Sequence, residues 1–443
     1  MIIKLPDEAR HIIETLENHG FEAYAVGGCI RDSLLGKTPQ DWDICTSALA
    51  AQTMLCFSAH HIIKTGLQHG TVTLMLNHKP FEITTYRVDR KYTEHSRPGK
   101  IKFVNVLKRD LACRDFTINA MAYNPKTGLV DYYGGQTDLT ERKIKCVGNV
   151  GKRLREDALR IMRALRFASA DGFSIDDDTA KAMFENKALL HNVAAERIAT
   201  ELNKLIIGDR VCEVLSVHRP VLIEIIPEFG CAVGFKQNNP YHCYDVLTHT
   251  LVSIDAAPKD LIIRLTMLFH DIAKPKCYTE ANDGIGHFYG HQQESADISN
   301  AILRRLKYDN DTIRAVSQLV LYHDADIEPR RKHIKRWLNK IGELRLQQLL
   351  EVNRADIMAQ SSQYRQARLE RLDAVLPIVE EIIEQQQCFS LKDLAVNGRD
   401  LNNAGVPQGP EIGSILKRLL DMVIDEEIPN DKAMLLEIAS NNI

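Results

Sequence analysis

The sequence predicts an α+β head of about 145 residues followed by an all-helical remainder. Three observations carry this expectation. Helix and strand patterns alternate through the first 145 or so residues. GTVTLMLN (70–77) and KPFEITTYRVD (79–89) alternate apolar and polar residues with a period of two across a polar turn, a hairpin signal. From Arg153 onward strand signals nearly vanish while helical periodicity persists.

In order along the chain, DEARHIIETLENHG (7–20) has apolar residues at helical spacing and ends on a glycine stop. FEAYAVGG (21–28) reads as a strand entering a glycine turn, IRDSLLG (30–36) as a helix and DWDICTSA (41–48) as the next strand. The polar stretch RVDRKYTEHSRPGK (87–100) is the expected mobile loop. LREDALRIMRALRFASA (154–170) and AAERIATELNKLI (194–206) are amphipathic helices. Domain size, at about 150 residues each, allows roughly three domains.

Composition narrows the class further. With 44% hydrophobic and 26% charged residues the chain is too apolar to be disordered. The best candidate for a membrane span, LIIRLTMLF (261–269), is half the required length and contains Arg264. The N-terminus lacks the apolar core of a signal peptide, so a cytoplasmic location is expected. The net charge of -3 neither predicts nor excludes nucleic-acid binding, since a local basic surface suffices. Ten scattered cysteines with no CxxC pair point to reduced thiols.

Asp41 and Asp43 are separated by one residue on an expected strand, so their side chains share one face, ~6–7 Å apart at Cα. Two carboxylates so placed suit a pair of Mg2+ ions, which take carboxylate oxygens together with substrate phosphates. Glu82 is the third carboxylate if its strand lies beside the first. An isolated DxD is more often a solvated turn than a metal site. Its neighbourhood argues otherwise: in VGGCIRD (26–32), Gly27 and Gly28 let backbone amides approach a phosphate at a helix N-terminus, and Arg31 adds a charged fork.

Taken together, GG(x)2RD followed by DxD resembles the DNA polymerase beta-like nucleotidyltransferases. VGGCIRDSLLGKTPQDWDICTSA resembles the first motif of the class II tRNA nucleotidyltransferases, the CCA-adding enzymes, and of the bacterial poly(A) polymerases. DLACRDFTINAMAYN (110–124) is similar to a second block of that family, which implies a nucleotide contact for Arg114; Cys113 stands where the family usually has an arginine. REDALRIMRALRF (155–167) resembles the block that selects the incoming base, which implies that role for Asp157 and Arg160.

The chemistry of that last pair can be stated independently. At i and i+3 of a helix, Asp157 and Arg160 occupy one face. Cytosine and adenine both present an amine donor beside a ring-nitrogen acceptor, which a carboxylate and a guanidinium complement. Uracil and guanine present the reverse order and leave buried polar groups unpaired, a mismatch that can discriminate by ~10⁴-fold. Arg163 and Arg166 continue the series toward triphosphate or RNA backbone. An ordinary amphipathic helix with surface arginines is the competing reading.

Seven of the 16 histidines lie between His242 and His333. His249, His270–Asp271, His291 and His323–Asp324 resemble the HD phosphohydrolase superfamily, which implies a divalent transition metal; the late carboxylate is Asp324 or Asp326. Farther on, Arg330, Arg331, Lys332, Lys335 and Arg336 form a basic helical stripe suited to RNA backbone or to a solvated face. VNGRDLNNAGVPQGPEIGSILKRLLDMV (396–423) resembles the tail of the bacterial enzymes, whose helices hold tRNA by shape.

The resemblance implies a nucleotidyltransferase head (1–145), a neck for base recognition (146–225), an HD-containing body (226–345) and a tRNA-binding tail (346–443). It implies addition of C, C and A to the tRNA 3′ end from CTP and ATP, with Mg2+ at Asp41, Asp43 and Glu82 and triphosphate contacts from Gly28, Arg31 and Arg114. A specialist adding CC, A or poly(A), and a metal-dependent phosphohydrolase, are the alternative readings.

Overall fold

The computed structural model describes residues 2–88, 102–282 and 284–440. The loop expected to be mobile therefore lies, beyond Val88, outside the described residues. The chain divides into two compact units, Met1–Pro227 and Glu228–Ile443.

The first unit is built on a seven-stranded mixed sheet. Its strands are β1 (Ala23–Val26), β2 (Ile44–Thr46), β3 (His61–Ile63), β4 (Thr71–Leu76), β5 (Lys79–Thr85), β6 (Met121–Asn124) and β7 (Gly128–Asp131). Their spatial order is β3-β4-β5-β2-β1-β6-β7, with β2 and β5 parallel and the other pairs antiparallel. The expected hairpin is β4–β5; its turn residues Asn77 and His78 have φ of 48° and 62°, the left-handed pair that a twisted two-residue hairpin requires. Helix α1 (Asp7–Asn18) buries Ala9, Ile12, Ile13 and Leu16, one stripe at helical spacing. Helix α2 (Gly28–Leu34) follows β1 directly, and α3 (Leu107–Leu111) leads into the DLACRD segment.

One expected helix is two. The segment 154–170 divides into α4 (Val150–Glu156) and α5 (Leu159–Asp171), with Asp157 extended between them at φ −149°, ψ 101°. Asn149 caps α4 through Lys152 N, and Asp157 Oδ1 accepts from Leu159 N at 3.1 Å. A short acidic side chain that bonds nearby backbone offers the chain an alternative to continuing the helix, and the apolar pattern carries no trace of it. Phe116 (0% exposed) meets Phe167 (2% exposed) edge to face at 5.8 Å, fixing α5 against the head segment. Helix α6 (Ala195–Ile206) packs on α5.

The second unit is helical: α7 (Val246–Ala256), α8 (Leu261–Phe269), α9 (His291–Arg305), α10 (Asn310–Tyr322), α11 (Arg331–Ile341), α12 (Glu343–Met358), α13 (Leu376–Glu384) and α14 (Pro410–Ile424), with shorter helices between and after them. Asp245, Asp260 and Asp309 cap α7, α8 and α10. Leu265, Leu268, Phe269, Val316, Val320, Leu346 and Leu349 make its buried centre. The region after Arg153 is not purely helical. Ser174–Ile175 pairs with Lys143–Ile144, and Thr279–Glu280 with Gly286–His287; two-residue strands are too short to leave a periodic signal. Among the described residues no helix is long and apolar enough to cross a membrane.

Candidate active site

The strand expected over 41–48 is regular only at Ile44–Thr46, so Asp41 and Asp43 stand in the extended residues that enter it. They still share a side. Trp42 between them is buried, at 8% exposure, while both aspartates are exposed. Val26 N donates to Asp43 O at 3.0 Å, extending the β1–β2 pairing to that residue. Across the sheet Ile44 is opposite Ile83, and one step back the parallel register sets Asp43 beside Glu82, which is exposed in turn. The third carboxylate therefore joins the first two.

The electrostatics agree with this grouping. Crowding by the surrounding protein raises the Asp43 carboxyl above its usual range; Arg114 pulls it down, and the charges of Glu82 and Asp41 push it up. Three mutually repelling carboxylate groups on one patch form a donor set suited to a hard divalent cation. Next to them Gly27 turns at φ +84°, and a Cβ there would stand 2.8 Å from Arg114 Nη1. The glycine thus allows the backbone to lie over the guanidinium. Burial weakens the Arg114 charge, but Asp110, Cys45 and Asp43 more than restore it. Gly28 opens α2, and Arg31 in its first turn donates to Asp32 Oδ1 (2.9 and 2.8 Å) and Asn119 Oδ1 (2.7 Å) while lying over the Phe167 ring.

The arginines of α5 occupy positions the sequence alone did not disclose. Arg160 is buried, and its terminal nitrogens donate to Arg153 O (3.0 Å) and Cys113 O (2.8 Å). Asp157 lies at the helix break rather than on one helical face with Arg160, and its Oδ2 accepts from Arg197 of α6 at 2.9 Å. Arg163 grips Asp115 through Nε and Nη2 at 2.8 and 2.6 Å, and Arg166 Nε is 3.1 Å from the buried Glu201. Both arginines, expected to point toward phosphate, face protein carboxylates here, because the unit buries two acids that need cationic partners. Burial would raise Asp115, yet Arg163 and Asn119 hold its carboxyl down at about 2.

In the second unit the histidines converge. Nε2 of His249 lies 3.2 Å from Nε2 of His270, 2.9 Å from Asp356 Oδ1 and 3.3 Å from Asp271 Oδ2. Nε2 atoms of His291 and His323 are 3.3 Å apart, and each is 3.5 Å from Asp271 Oδ1. Asp324 is not part of the cluster: it is exposed and accepts from Gln292. Asp326 pairs with Arg371. The late carboxylate is Asp356, on α12, which no spacing pattern singled out. Burial alone would lower the His270 imidazole, but Asp271 and Asp356 push it up to about 10. The cluster calls for positive charge.

The expected basic stripe is largely neutralised. Arg330 pairs with Glu328, Arg331 with Glu381, Lys335 with Glu426 (3.3 Å) and Arg336 with Asp425 (2.6 Å). Lys335 is itself buried, while Lys332 is exposed. The stripe binds acidic residues from α13 and from the segment after α14, which are distant in sequence.

A mixed sheet with two carboxylates at the entry to one strand and a third beside them on its parallel neighbour, next to a glycine turn and an arginine, defines a polymerase-type nucleotidyltransferase head. Consistent with this, residues 23–145 match the poly A polymerase head domain, residues 172–215 an RNA and SrmB binding site of polymerase A, and residues 289–439 the tRNA nucleotidyltransferase domain 2. The chain is 33% identical over 441 residues to the CCA-adding enzyme of Levilactobacillus brevis, covering 98% of each. It is 31% identical over 446 residues to that of Lactococcus lactis subsp. cremoris, covering 98% of this chain and 96% of the other. A crystal structure of the Bacillus stearothermophilus CCA-adding enzyme in complex with CTP superposes with a TM-score of 0.71 at 27% identity, over 98% of both chains. The chain belongs to the CCA-adding enzyme family.

Proposed function

We propose that this chain adds C, C and A to the 3′ end of tRNA from CTP and ATP and releases pyrophosphate. The observation that carries the reading is the carboxylate patch of Asp41, Asp43 and Glu82 on one side of the sheet. Full-length similarity to proteins named CCA-adding enzymes favours complete addition over the CC, A or poly(A) specialists and over a phosphohydrolase as the main activity. The working division is head 1–145, neck 146–225, histidine-bearing body 226–345 and tRNA-holding tail 346–443, in the cytoplasm.

Asp41, Asp43 and Glu82 would hold Mg2+, which, when bound, lowers the pKa of the attacking ribose hydroxyl and neutralises charge on the triphosphate. Gly28 amide, Arg31 and Arg114 grip the triphosphate and sugar. Asn119 and Asp32 fix the Arg31 fork in advance, so less rotamer freedom is lost when phosphate arrives. Asp157 accepts the amine of C or A, and Arg160 donates to the ring nitrogen. Arg160 uses two of its five N–H donors on carbonyls, which orients the plane and leaves donors for the base. The Asp157–Arg197 pair is half exposed on the arginine side, worth only ~0–1 kcal/mol, so an incoming base displaces it cheaply. Arg163 and Arg166 act as positioning residues through Asp115 and Glu201. The cluster of His249, His270, Asp271, His291, His323 and Asp356 would hold a divalent transition metal; the imidazole and carboxylate donors fit one.

The test is incubation with tRNAs ending before CCA, after C and after CC, with CTP and ATP supplied separately and product lengths read. Complete addition extends each substrate to CCA; extension by C alone, by A alone or by a homopolymer assigns a specialist. Asp41→Ala abolishes incorporation. Asp157→Ala admits U and G; retention of C and A preference in that variant would remove the side-chain template.

A further inference from the structure

We infer that Phe167 is a positioning residue for nucleotide transfer: its ring holds the Arg31 guanidinium in place and so ties the triphosphate grip to the helix that reads the base. This rests on the reading of Arg31 as a triphosphate contact. Three guanidinium groups surround the one ring. The central carbons of Arg166, Arg31 and Arg163 stand 4.1, 4.9 and 5.8 Å from its centroid. A cation within about 6 Å of a ring centroid is drawn to the negative face of the π-system, more strongly where water is excluded. Phe167 is 2% exposed and the Arg31 side chain 12%, so little water screens that attraction. Arg163 and Arg166 share α5 with the ring, whereas Arg31 comes from α2, far earlier in the chain.

The ring closes a circuit of contacts. Arg31 Nη1 donates to Asn119 Oδ1 at 2.7 Å, Asn119 Nδ2 to Asp115 Oδ1 at 3.1 Å, and Arg163 to Asp115 Oδ2 at 2.8 and 2.6 Å. Arg163 and Arg31 then meet again at Phe167. Phe116, the neighbour of Asp115, packs edge to face on Phe167 at 5.8 Å and 89°, which fixes the plane of the ring. Arg31 gives Nε and Nη2 to Asp32 and one N–H of Nη1 to Asn119. Three of its five N–H groups are thus committed, and one on each terminal nitrogen is left for a phosphate. A fork whose plane is set in advance loses less freedom when phosphate arrives.

Like charges this close repel. Burial draws the Arg166 guanidinium below its ordinary value; Glu201 opposes this, while Arg163 and Arg31 add to it. An aliphatic side chain of similar size would fill the same space but offer no negative face, leaving the repulsion to swing the Arg31 fork away. Phe167 also lies on the helix that begins at the base-reading end, about two turns beyond Arg160. A shift of α5 that alters how the base is read therefore moves the support of Arg31 as well. Base and triphosphate are held in one register.

The experiment replaces Phe167 of the full chain by mono-, di- and trifluorinated phenylalanine. Fluorine drains the negative face while the ring keeps its shape and its apolar character, so the series folds where Phe167→Leu might not be needed. With no tRNA present, bound CTP has no acceptor, and its affinity is read by calorimetry in Mg2+. The Kd for CTP should rise stepwise with each fluorine, by about 3- to 30-fold for the trifluorinated ring, the range of a partly to fully desolvated contact of this kind. Cytidine, which carries no phosphate, should bind every protein alike in an NMR titration. In an Arg31→Met background fluorination should no longer change the affinity for CTP. A flat CTP affinity across the series, a fluorine effect that persists with Arg31→Met, or an equal loss for cytidine overturns the positioning role and leaves Arg31 a triphosphate contact. A CTP affinity unchanged by Arg31→Met alone overturns the reading of Arg31 on which the inference rests.

Discussion

Replacing Asp115 by Asn tests whether the head is held to α5 by a buried ion pair. Asp115 accepts from Phe116 N (2.8 Å), Asn119 Nδ2 (3.1 Å) and two nitrogens of Arg163, and Asn119 in turn accepts from Arg31. Its carboxyl lies at about 2 in the folded chain against an ordinary aspartate value of 3.8. At 1.36 kcal/mol per pKa unit, that difference is worth about 2 kcal/mol of folding free energy. Because the folded value is the lower one, the contribution is complete above about pH 5 and disappears as pH falls through about 2. Asp115→Asn removes it at every pH and also leaves Arg163 with only Glu201, at 3.7 Å. At pH 7 the variant should therefore lose about 2–5 kcal/mol, the upper figure being the cost of an uncompensated buried charge. Native-state hydrogen exchange of peptides from β6 and α5, corrected for intrinsic rates, reads the local opening free energy. The gap between wild type and variant should narrow by about 2 kcal/mol between pH 5 and pH 2. A gap that stays constant over that range would refute the ion-pair account and leave only packing.

Gly27→Ala forces a side chain into φ +84°, ψ −131° and onto Arg114, so stability should fall by about 1–3 kcal/mol and the KM for CTP should rise, checked by melting and steady-state kinetics. Phe116→Ala removes a fully buried ring from the contact with Phe167, and the first unit should lose about 3–5 kcal/mol in denaturant titration. Arg336→Ala breaks an exposed pair with Asp425 and should change stability by less than about 1 kcal/mol, with the salt dependence of tRNA binding unaltered; a shallower slope would restore the basic stripe as an RNA surface.

Local chemistry made part of this protein legible from its residues. Strand alternation and the glycine turn are short-range properties, so the β4–β5 hairpin, helix α1 and the alternation of Asp41 and Asp43 about buried Trp42 could be read directly. The gathering of His249, His270, Asp271, His291 and His323 was implied by the resemblance of their pattern to the HD superfamily, and the structure brings these side chains together. Three features were decided only by tertiary structure. Glu82 joins the aspartates because β5 lies parallel to β2 in one particular register, a pairing between segments some forty residues apart. Asp356 displaces Asp324 as the late carboxylate because helix packing, not sequence spacing, brings α12 to the histidines. Arg331, Lys335 and Arg336 of α11 pair with acids 50, 91 and 89 positions away. A sequence states which groups a segment offers; whether a charge meets substrate, metal or another side chain depends on desolvation and partner distance, and those exist only once the chain has folded.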